Sequence, residues 1–268
     1  MDAAVIGDVC IDRYDDAGHA CVTGNAVDTG VHLAQLGVRT ALISAVGDDA
    51  DGAWARTALA AEGLDLSRLR TVPGATAVTH MRIENGERIH GEYEEGVLRD
   101  LVFDADDVAF AGRRTLVHSA LWGRATGVLH RIRALGAIVS FDYADRLDSP
   151  VVAETAGSVD IGFFSAATDG PEIREYLAAR VAAGMRVAIA TFGRNGSLAY
   201  DGTEFTTCPA TPATVVNTVG AGDSFIAGFL AAHLRGAAVP AALAAGSCRA
   251  AGVVSRFDPW QPASSGTD

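Results

Sequence analysis

Short apolar runs and amphipathic stretches alternate along the first part of the chain. The run "AAVIGD" (3–8) predicts a short buried strand, and "TALISAVG" (40–47) predicts a second one. Between them, "NAVDTGVHLAQLG" (25–37) carries apolar residues at helical spacing and ends at a glycine. A further helix is expected in "AWARTALAAEG" (53–63). Buried strands separated by helices are typical of a parallel sheet, so the pattern predicts an α/β protein.

The same alternation resumes after residue 101, with helices such as "IREYLAARVAAG" (173–184) between strands. A polar hairpin is expected at 196–207, and two alanine-rich helices follow it at 223–235 and 239–255. We find neither an internal repeat nor a linker, so we expect a single domain over residues 1–268. The strands predicted in this half of the chain are 115–121, 136–143, 160–166 and 186–193.

Residues 72–96 follow a different pattern, in which apolar and polar positions alternate one by one. Asn85-Gly86 lies in the middle, and Asn-Gly between alternating runs predicts a β-hairpin. A two-stranded ribbon is marginally stable alone, so it must pack on the core or on its copy in a second subunit. The ribbon therefore interrupts an otherwise α/β chain.

Composition narrows the possible chemistry. The 268 residues are 49% hydrophobic and carry a formal charge of −12, which gives no electrostatic footprint for nucleic acid or an anionic membrane. All 21 basic residues are arginine. Without lysine, Schiff-base chemistry and the Walker A phosphate loop are both excluded.

Cysteine and histidine spacing gives no sign of a disulfide framework or a zinc motif. The four cysteines are scattered, and the seven histidines show no paired ligand spacing, so the sequence assigns them no metal. The N-terminus has an acid where a signal peptide needs positive charge, and no apolar run is long enough to span a bilayer. These features predict a cytoplasmic protein.

The stretch Gly220-Ala221-Gly222-Asp223 opens the first alanine-rich helix. Small residues at a helix N-terminus let backbone N–H groups converge on an anion, and the helix dipole supports it. Asp223 beside a bound phosphoryl group could accept the proton of an incoming hydroxyl. The alternative is that Asp223 only caps the helix, because Asp is favoured there. Both interpretations fit the spacing.

Two further loops follow predicted strands. In "ATFGRNGS" (190–197), Gly193 and Gly196 frame a turn that either approaches a ligand or forms a type I′ hairpin turn. Asp8 and Asp12 follow the first strand, where carboxylates suit the hydroxyl groups of a polyol but also form ordinary turns. The acidic stretch 91–96 on the ribbon either protects a sheet edge or faces a cationic substrate.

Together these stretches resemble the ribokinase-like (PfkB) carbohydrate kinases over nearly the whole chain. The family signature, close to D-T-x-G-A-G-D-x-F, reads "NTVGAGDSF" at 217–225, and the T-x-G-x-x-G nucleotide loop reads "TFGRNG" at 191–196. "VGDDADG" at 46–52 matches a third family element. Five stretches are similar to family members that act on sugar–amino-acid adducts: 24–27, 91–97, 117–125, 141–150 and 220–230.

The resemblance implies a three-layer α/β/α fold with a mostly parallel central sheet. It also implies a small β-sheet lid, formed by segments at about 11–24 and 73–96. Further implications are ATP and Mg²⁺ as cofactors, a small sugar as substrate and a homodimer formed through the lid. Neither nucleic acid nor a membrane is implied as a partner.

The resemblance also assigns roles to individual residues. Asp223 is the implied catalytic base, with an anion hole at Gly220, Ala221 and Gly222. The implied substrate residues are Asp12, Gly24, Asn25, Asp28, Glu92 and Tyr93, and the implied nucleotide residues are Thr191, Gly193, Gly196, Ser247 and Cys248.

Three departures from the family pattern bear on function. Asn217 replaces an Asp that helps hold a monovalent cation, which puts potassium activation in doubt. Asp28 replaces a sugar-binding Asn and cannot donate a hydrogen bond from its carboxylate. The N-x-x-E element that organises Mg²⁺ and phosphate is absent at Ser165–Thr168.

We therefore expect an ATP-dependent kinase acting on a primary hydroxyl of a sugar or a sugar–amino-acid adduct. Two alternatives stay open at this point. One is a kinase of the same family for another ketose or a nucleoside. The other is a non-catalytic sugar or nucleotide sensor, which the departures at Asn217, Asp28 and Ser165–Thr168 motivate.

Overall fold

The computed structural model describes residues 1–84 and 87–261. The predicted turn at Asn85-Gly86 lies outside the described residues. The strands are β1 (Asp2–Ile6), β2 (Cys10–Tyr14), β3 (His19–Thr23), β4 (Arg39–Gly47), β5 (Asp65–Val72), β6 (Ala77–Glu84), β7 (Glu87–Glu94), β8 (Leu116–Ala120), β9 (Ile138–Asp142), β10 (Ile161–Ser165), β11 (Val187–Thr191), β12 (Ser197–Tyr200) and β13 (Phe205–Cys208). The helices are α1 (Asn25–Gln35), α2 (Ala50–Ala61), α3 (Ala105–Ala111), α4 (Thr126–Ala134), α5 (Pro150–Thr155), α6 (Pro171–Ala182), α7 (Ala221–Leu234) and α8 (Val239–Val254).

Nine strands form the central sheet in the order β13-β12-β11-β10-β9-β8-β1-β4-β5. Neighbouring strands are parallel throughout the part of this sheet that runs β11-β10-β9-β8-β1-β4-β5. The strands β12 and β13 pair antiparallel at one edge. Parallel strands are joined by helices, and their buried residues form near-continuous apolar runs. In β8, β9 and β10 nearly every residue is buried, which fits that rule.

Alternation along the strands divides the core into two layers. In β1, Val5 belongs to the hydrophobic cluster that contains residues of α1, α2, α7 and α8, and Ile6 belongs to the cluster that contains residues of α3, α4, α5 and α6. Successive side chains of a strand point to opposite faces, so the two helix groups cover opposite sides of the sheet. The predicted three-layer α/β/α arrangement with a mostly parallel sheet is confirmed.

A second, four-stranded sheet has the order β3-β2-β6-β7. Its strands β2 and β6 are parallel, and the other two pairs are antiparallel. We call this element the small sheet. It comprises both chain segments that the resemblance assigns to a lid, and its function as a lid stays a prediction. Ile11 and Val22 bury one side of the small sheet in the core that contains α1 and α2.

Several elements differ from the sequence-based prediction. The strand β5 was missed because its burial alternates at the sheet edge, whereas the other parallel strands carry continuous apolar runs. The type I′ turn at Asn195-Gly196 is wrong, because such a turn needs positive φ at both residues and Asn195 lies in a short 3-10 helix (Gly193–Asn195). Helix α7 begins two residues earlier than predicted, at Ala221.

No helix within the described ranges is both long and apolar enough to cross a lipid bilayer.

Candidate active site

The glycine turn before α7 has the geometry that an anion site needs. Gly220 has φ 74°, and a Cβ built on it would lie 2.6 Å from Pro259 Cβ, so only glycine fits there. A Cβ on Gly222 would meet open space. The first intrahelical bond runs from the Ser224 N–H to the Gly220 carbonyl, so the preceding N–H groups have no intrahelical acceptor. The Ala221 N–H already donates to the Thr218 carbonyl, which leaves the N–H groups of Gly220, Gly222 and Asp223 as candidate donors to an anion.

Asp223 lies in the first turn of α7 and is only 8% exposed. Asn25 Nδ2 donates to its Oδ1 at 3.3 Å. Burial raises the pKa of Asp223 well above its usual value, and the charges of Asp142 and Asp8 raise it further. Its side chain forms no N-cap hydrogen bond, because the N-cap residue is Gly220. The capping interpretation of Asp223 is therefore wrong for the side chain.

Asp28 lies in the first turn of α1 and is buried close enough to Asp223 for the two carboxylates to interact. Its Oδ2 accepts from the Thr23 hydroxyl at 2.8 Å, and its Oδ1 accepts from Trp260 Nε1 at 3.0 Å. Burial raises its pKa well above the usual value, and the Asp223 charge adds to the effect. Both oxygens thus have a protein donor, and each retains acceptor capacity for a ligand hydroxyl.

Asp8 has a structural role that the sequence did not predict. Its carboxylate accepts from the Asn25 N–H at 3.0 Å and the Ala26 N–H at 3.3 Å, so it caps α1 from another segment. Gly24 allows this approach, since a Cβ there would lie 2.6 Å from the Asp8 carbonyl oxygen and its φ is 125°. This capping orients Asn25 toward Asp223.

The small sheet contributes Asp12 and Tyr93 to the same region. Asp12 is buried in β2, and its charge raises the pKa of Asp28. Asp12 pairs with Thr79 of β6, which in turn pairs with Tyr93 of β7, so the three lie in one row across the small sheet. Glu92 is exposed beside a register irregularity, and its contact with substrate stays a prediction.

Tyr93 lies within the electrostatic reach of two opposite charges. The pKa of its phenol is raised by burial first and also by Glu95, whereas Arg124 lowers it. Arg124 Nη1 is 3.3 Å from Glu95 Oε1, and both side chains are partly exposed. Arg124 adopts a left-handed backbone conformation with φ 55°, which is uncommon for a residue with a side chain. A cation and an anion therefore lie side by side near Tyr93.

The predicted nucleotide loop lies at the carboxyl end of β11. Thr191 ends this strand, and its Oγ1 is 3.4 Å from Ser165 Oγ at the end of β10. Gly193 and Gly196 both have positive φ, and a Cβ on Gly196 would lie 2.2 Å from the Cys208 carbonyl oxygen. Ligands of open α/β sheets bind at this edge.

Ser247 and Cys248 lie on α8, away from the glycine turn in sequence. Ser247 Oγ accepts from the Thr211 N–H at 2.8 Å and lies 3.2 Å from the Pro209 carbonyl, so it fixes the segment after β13. Cys248 is exposed. Contact of either residue with adenine stays a prediction.

A cavity of about 860 Å³ opens beside the end of β10 and is lined by Ser165–Thr168, the start of α6, and Asp145 and Leu147 from the segment after β9. Asp142 ends β9 in the same neighbourhood, and its Oδ1 accepts from the Ala144 N–H at 2.9 Å. Burial raises the pKa of Asp142 to about 6. Asp142 was not among the predicted site residues, although its position at a strand's carboxyl end was a usable signal.

Asn217 is engaged on both sides of its amide. Its Nδ2 donates to the Phe257 carbonyl at 2.5 Å, and its Oδ1 accepts from the Val219 N–H at 3.1 Å. The side chain thus joins the glycine-turn loop to the C-terminal segment. The sequence put a monovalent cation near Asn217 in doubt, and both polar atoms of its side chain already have protein partners.

The C-terminal segment 257–260 supports the site. Pro259 packs against Gly220 and its carbonyl oxygen contacts His32 Nε2 at 3.0 Å, while Trp260 bonds Asp28. Sequence reasoning missed Trp260, because no local pattern links an indole to a carboxylate 232 residues away.

The fold is ribokinase-like. Ribokinase from Arabidopsis thaliana, complexed with ribose and ATP, superposes with a TM-score of 0.85 at 20% identity, covering 96% of this chain and 93% of that one. A putative ribokinase II from E. coli, in complex with ATP and Mg²⁺, gives a TM-score of 0.81 at 22% identity, with coverages of 96% and 94%.

Sequence comparison defines the family. The family model described as pfkB family carbohydrate kinase matches residues 22–264, and the chain belongs to this family. It is 37% identical to fructoselysine 6-kinase of Escherichia coli (strain K12), over 96% of this chain and 98% of that protein. It is 28% identical to fructosamine kinase FrlD of Bacillus subtilis (strain 168), over 87% and 83% of the two chains.

Because the pKa of Asp142 is raised, replacing Asp142 by a neutral residue should increase the free energy of unfolding, by an amount that depends on pH. Between the ordinary value of 3.8 and about 6, the folded state retains a proton that the unfolded state has released. The free energy of unfolding therefore falls as pH rises through this window. Asp142→Asn abolishes that loss, and we expect it to stabilise the protein by about 3 kcal/mol at neutral pH.

Urea unfolding of wild type and Asp142→Asn across the same pH window measures this effect. Asp148→Asn is the matched control, because Asp148 is exposed and its substitution should change stability little. A pH-independent difference between Asp142→Asn and wild type would contradict the assigned cause.

Proposed function

We propose that this protein catalyses ATP-dependent phosphorylation of fructoselysine on a primary hydroxyl group. Its E. coli relative is named fructoselysine 6-kinase. The similarity to that relative over almost the whole of both chains carries the proposal. The buried Asp223 in the glycine turn supports it, because a carboxylate in that position can serve a reacting hydroxyl.

In the proposed reaction, the substrate hydroxyl oxygen bonds to the γ-phosphorus of ATP and the bond from that phosphorus to the β–γ bridging oxygen breaks. ADP leaves, and the hydroxyl proton passes to the Asp223 carboxylate. A raised pKa suits this role, since proton transfer is most effective when the pKa of the base approaches the working pH. The N–H groups of Gly222 and Asp223 then stabilise charge on the transferring phosphoryl group.

The residues near the end of β9 fit a magnesium ion. Asp142, Ser165 and Thr191 offer only oxygen ligands, which Mg²⁺ prefers, and Asp142 Oδ1 is held by a single backbone N–H. These residues would hold the ion directly or through water. When bound with ATP, the ion supplies charge neutralisation for the phosphates. Asp142 would then supply the carboxylate that the N-x-x-E element supplies in other members of the family.

The pair formed by Glu95 and Arg124 suits the amino-acid end of the adduct. That end carries an ammonium and a carboxylate group, and the pair offers an anion and a cation 3.3 Å apart near Tyr93. The predicted substrate residues Asp12, Asn25 and Asp28 would then bind the sugar hydroxyls deeper in the site. This arrangement favours an adduct over a plain ketose or a nucleoside.

The small sheet is proposed to act as the lid of this site and as the contact of a homodimer. Its strands β3 and β7 are edge strands, and edge strands offer unpaired backbone groups to a second copy. Closure over the sugar would exclude water and limit ATP hydrolysis.

Removal of the proposed base gives the first test of the reaction. We expect Asp223→Asn to lower kcat at least about 10²-fold and leave the dissociation constant for ATP nearly unchanged, because an amide cannot accept the proton. A coupled assay for ADP measures the rate, and calorimetry measures nucleotide binding.

The matched control is Asp106→Asn, which removes an exposed carboxylate in the first turn of α3 and should keep wild-type kinetics. Near-normal turnover of Asp223→Asn would overturn the catalytic assignment. Sugar binding by wild type with no phosphorylated product on any candidate would favour the alternative of a sensor.

Substrate preference tests the adduct directly. We expect kcat/KM to be higher for fructoselysine than for fructose or a nucleoside. Arg124→Ala should raise KM for fructoselysine about tenfold and leave the kinetics with fructose unchanged, because only the adduct has a carboxylate for Arg124 to bind. Arg131→Ala, at an exposed position on α4, is the control.

Equal loss with both sugars in Arg124→Ala would contradict a role in recognising the amino-acid end. If wild type did not phosphorylate fructoselysine but turned over a plain ketose rapidly, the proposed substrate would be wrong. The proposed kinase activity would still stand.

A further inference from the structure

A cluster of three different ligand groups lies outside the candidate active site. His19 and Cys21 come from β3, and Asp258 comes from the C-terminal segment. One ligand atom from each residue lies within 4.8 Å of the other two, and His19 Nε2 is 2.7 Å from Asp258 Oδ1. We propose that these three residues form a zinc-binding site.

The local structure holds the ligands in a chelating arrangement. His19 and Cys21 are two residues apart on a strand, so their side chains project from the same face. The His19 ring packs against the rings of Tyr14 and Phe257, with centroids 5.9 and 5.1 Å away, which restricts its orientation. Cys21 is buried in a cluster with Tyr14 and Met81. His19 and Asp258 are about one-third exposed, which leaves the ion a path from solvent.

The mixture of ligand atoms selects the metal. An imidazole nitrogen, a thiolate and a carboxylate oxygen suit Zn²⁺, whereas Ca²⁺ and Mg²⁺ prefer oxygen ligands throughout. Zinc bonds of about 2.0 to 2.3 Å place tetrahedral ligands roughly 3.5 Å apart. His19 Nε2 and Asp258 Oδ1 are 2.7 Å apart, and the other two separations are at most 4.8 Å, so shifts of about 1 Å would bring the three atoms to zinc distances. Water would complete the fourth position.

Another histidine of the small sheet provides a useful contrast. His80 also has acidic neighbours, with Nδ1 2.9 Å from Asp15 and Nε2 3.1 Å from Glu94. Asp15 and Glu94 contact different nitrogens on opposite sides of the ring. A metal ion bound to one of these nitrogens could therefore not be ligated by both carboxylates. His80 therefore forms ion pairs, and its two acidic partners raise its pKa through hydrogen bonds.

The position of Asp258 gives the site a structural consequence. Asp258 directly precedes Pro259, which packs against Gly220, and Trp260, which bonds Asp28. Zinc at the cluster would join β3 of the small sheet to the segment that supports the glycine turn. Binding to the folded state alone would also raise the melting temperature.

Metal titration of the full chain, stripped beforehand with a chelator, tests the site. We expect one equivalent of Zn²⁺ per chain in competition with a fluorescent chelator. Co²⁺ should replace it and produce the near-ultraviolet absorption of a cobalt–thiolate bond. Cys21→Ser should abolish this absorption and weaken zinc binding by more than about tenfold, and His19→Gln should weaken it similarly.

Matched controls are Cys248→Ser and His130→Gln, whose residues are exposed on α8 and α4 and should bind as wild type does. Circular dichroism verifies the fold of each variant, and Asp258→Asn provides a third ligand change at a partly exposed position. No stoichiometric zinc binding by wild type would overturn the proposal. Unchanged zinc affinity in Cys21→Ser and His19→Gln would overturn it equally.

Discussion

The electrostatic cost of burying several carboxylates in one place governs the architecture of the site. Asp8, Asp12, Asp28, Asp142 and Asp223 are all buried, and burial disfavours their charged forms. The structure compensates with donors from separate elements: the α1 N-terminus, a threonine hydroxyl, an indole N–H, a loop amide and an asparagine side chain. These donors do not fully offset the cost of burying the charges. The remaining cost falls on the residues proposed to accept the proton, hold magnesium and bind the sugar hydroxyls.

The arrangement of the site also depends on the C-terminal segment 257–260. It supplies Trp260 to Asp28, Pro259 to the glycine turn and the Phe257 carbonyl to Asn217. Two regions that are far apart in the chain, the start of α1 and the glycine-turn loop, are thereby fixed to one short stretch. The proposed zinc cluster at Asp258 lies on the same stretch, so the small sheet and the glycine turn share a support.

Local sequence patterns predicted the parts of the protein that depend on neighbouring residues. The α/β core follows from strand and helix periodicity, and the turn before Asp223 follows from contiguous small residues. The strand β5 was missed because it is half exposed at an edge. The helix-capping role of Asp8 was missed because its partners lie 17 and 18 residues later in the chain. The bond to Trp260 and the cluster at His19 depend on tertiary packing, which no spacing rule encodes.

The central claim is that a buried carboxylate with a raised pKa accepts the proton of the substrate hydroxyl. The pH dependence of kcat/KM for the sugar, with wild type and saturating ATP, tests it most directly, since this ratio reports the ionisation of essential groups before the sugar binds. We expect the ratio to fall on the acid side with an apparent pKa well above the ordinary value of 3.8. That apparent pKa belongs to the coupled cluster around Asp223. A ratio that stays constant down to the ordinary aspartate range would contradict the account.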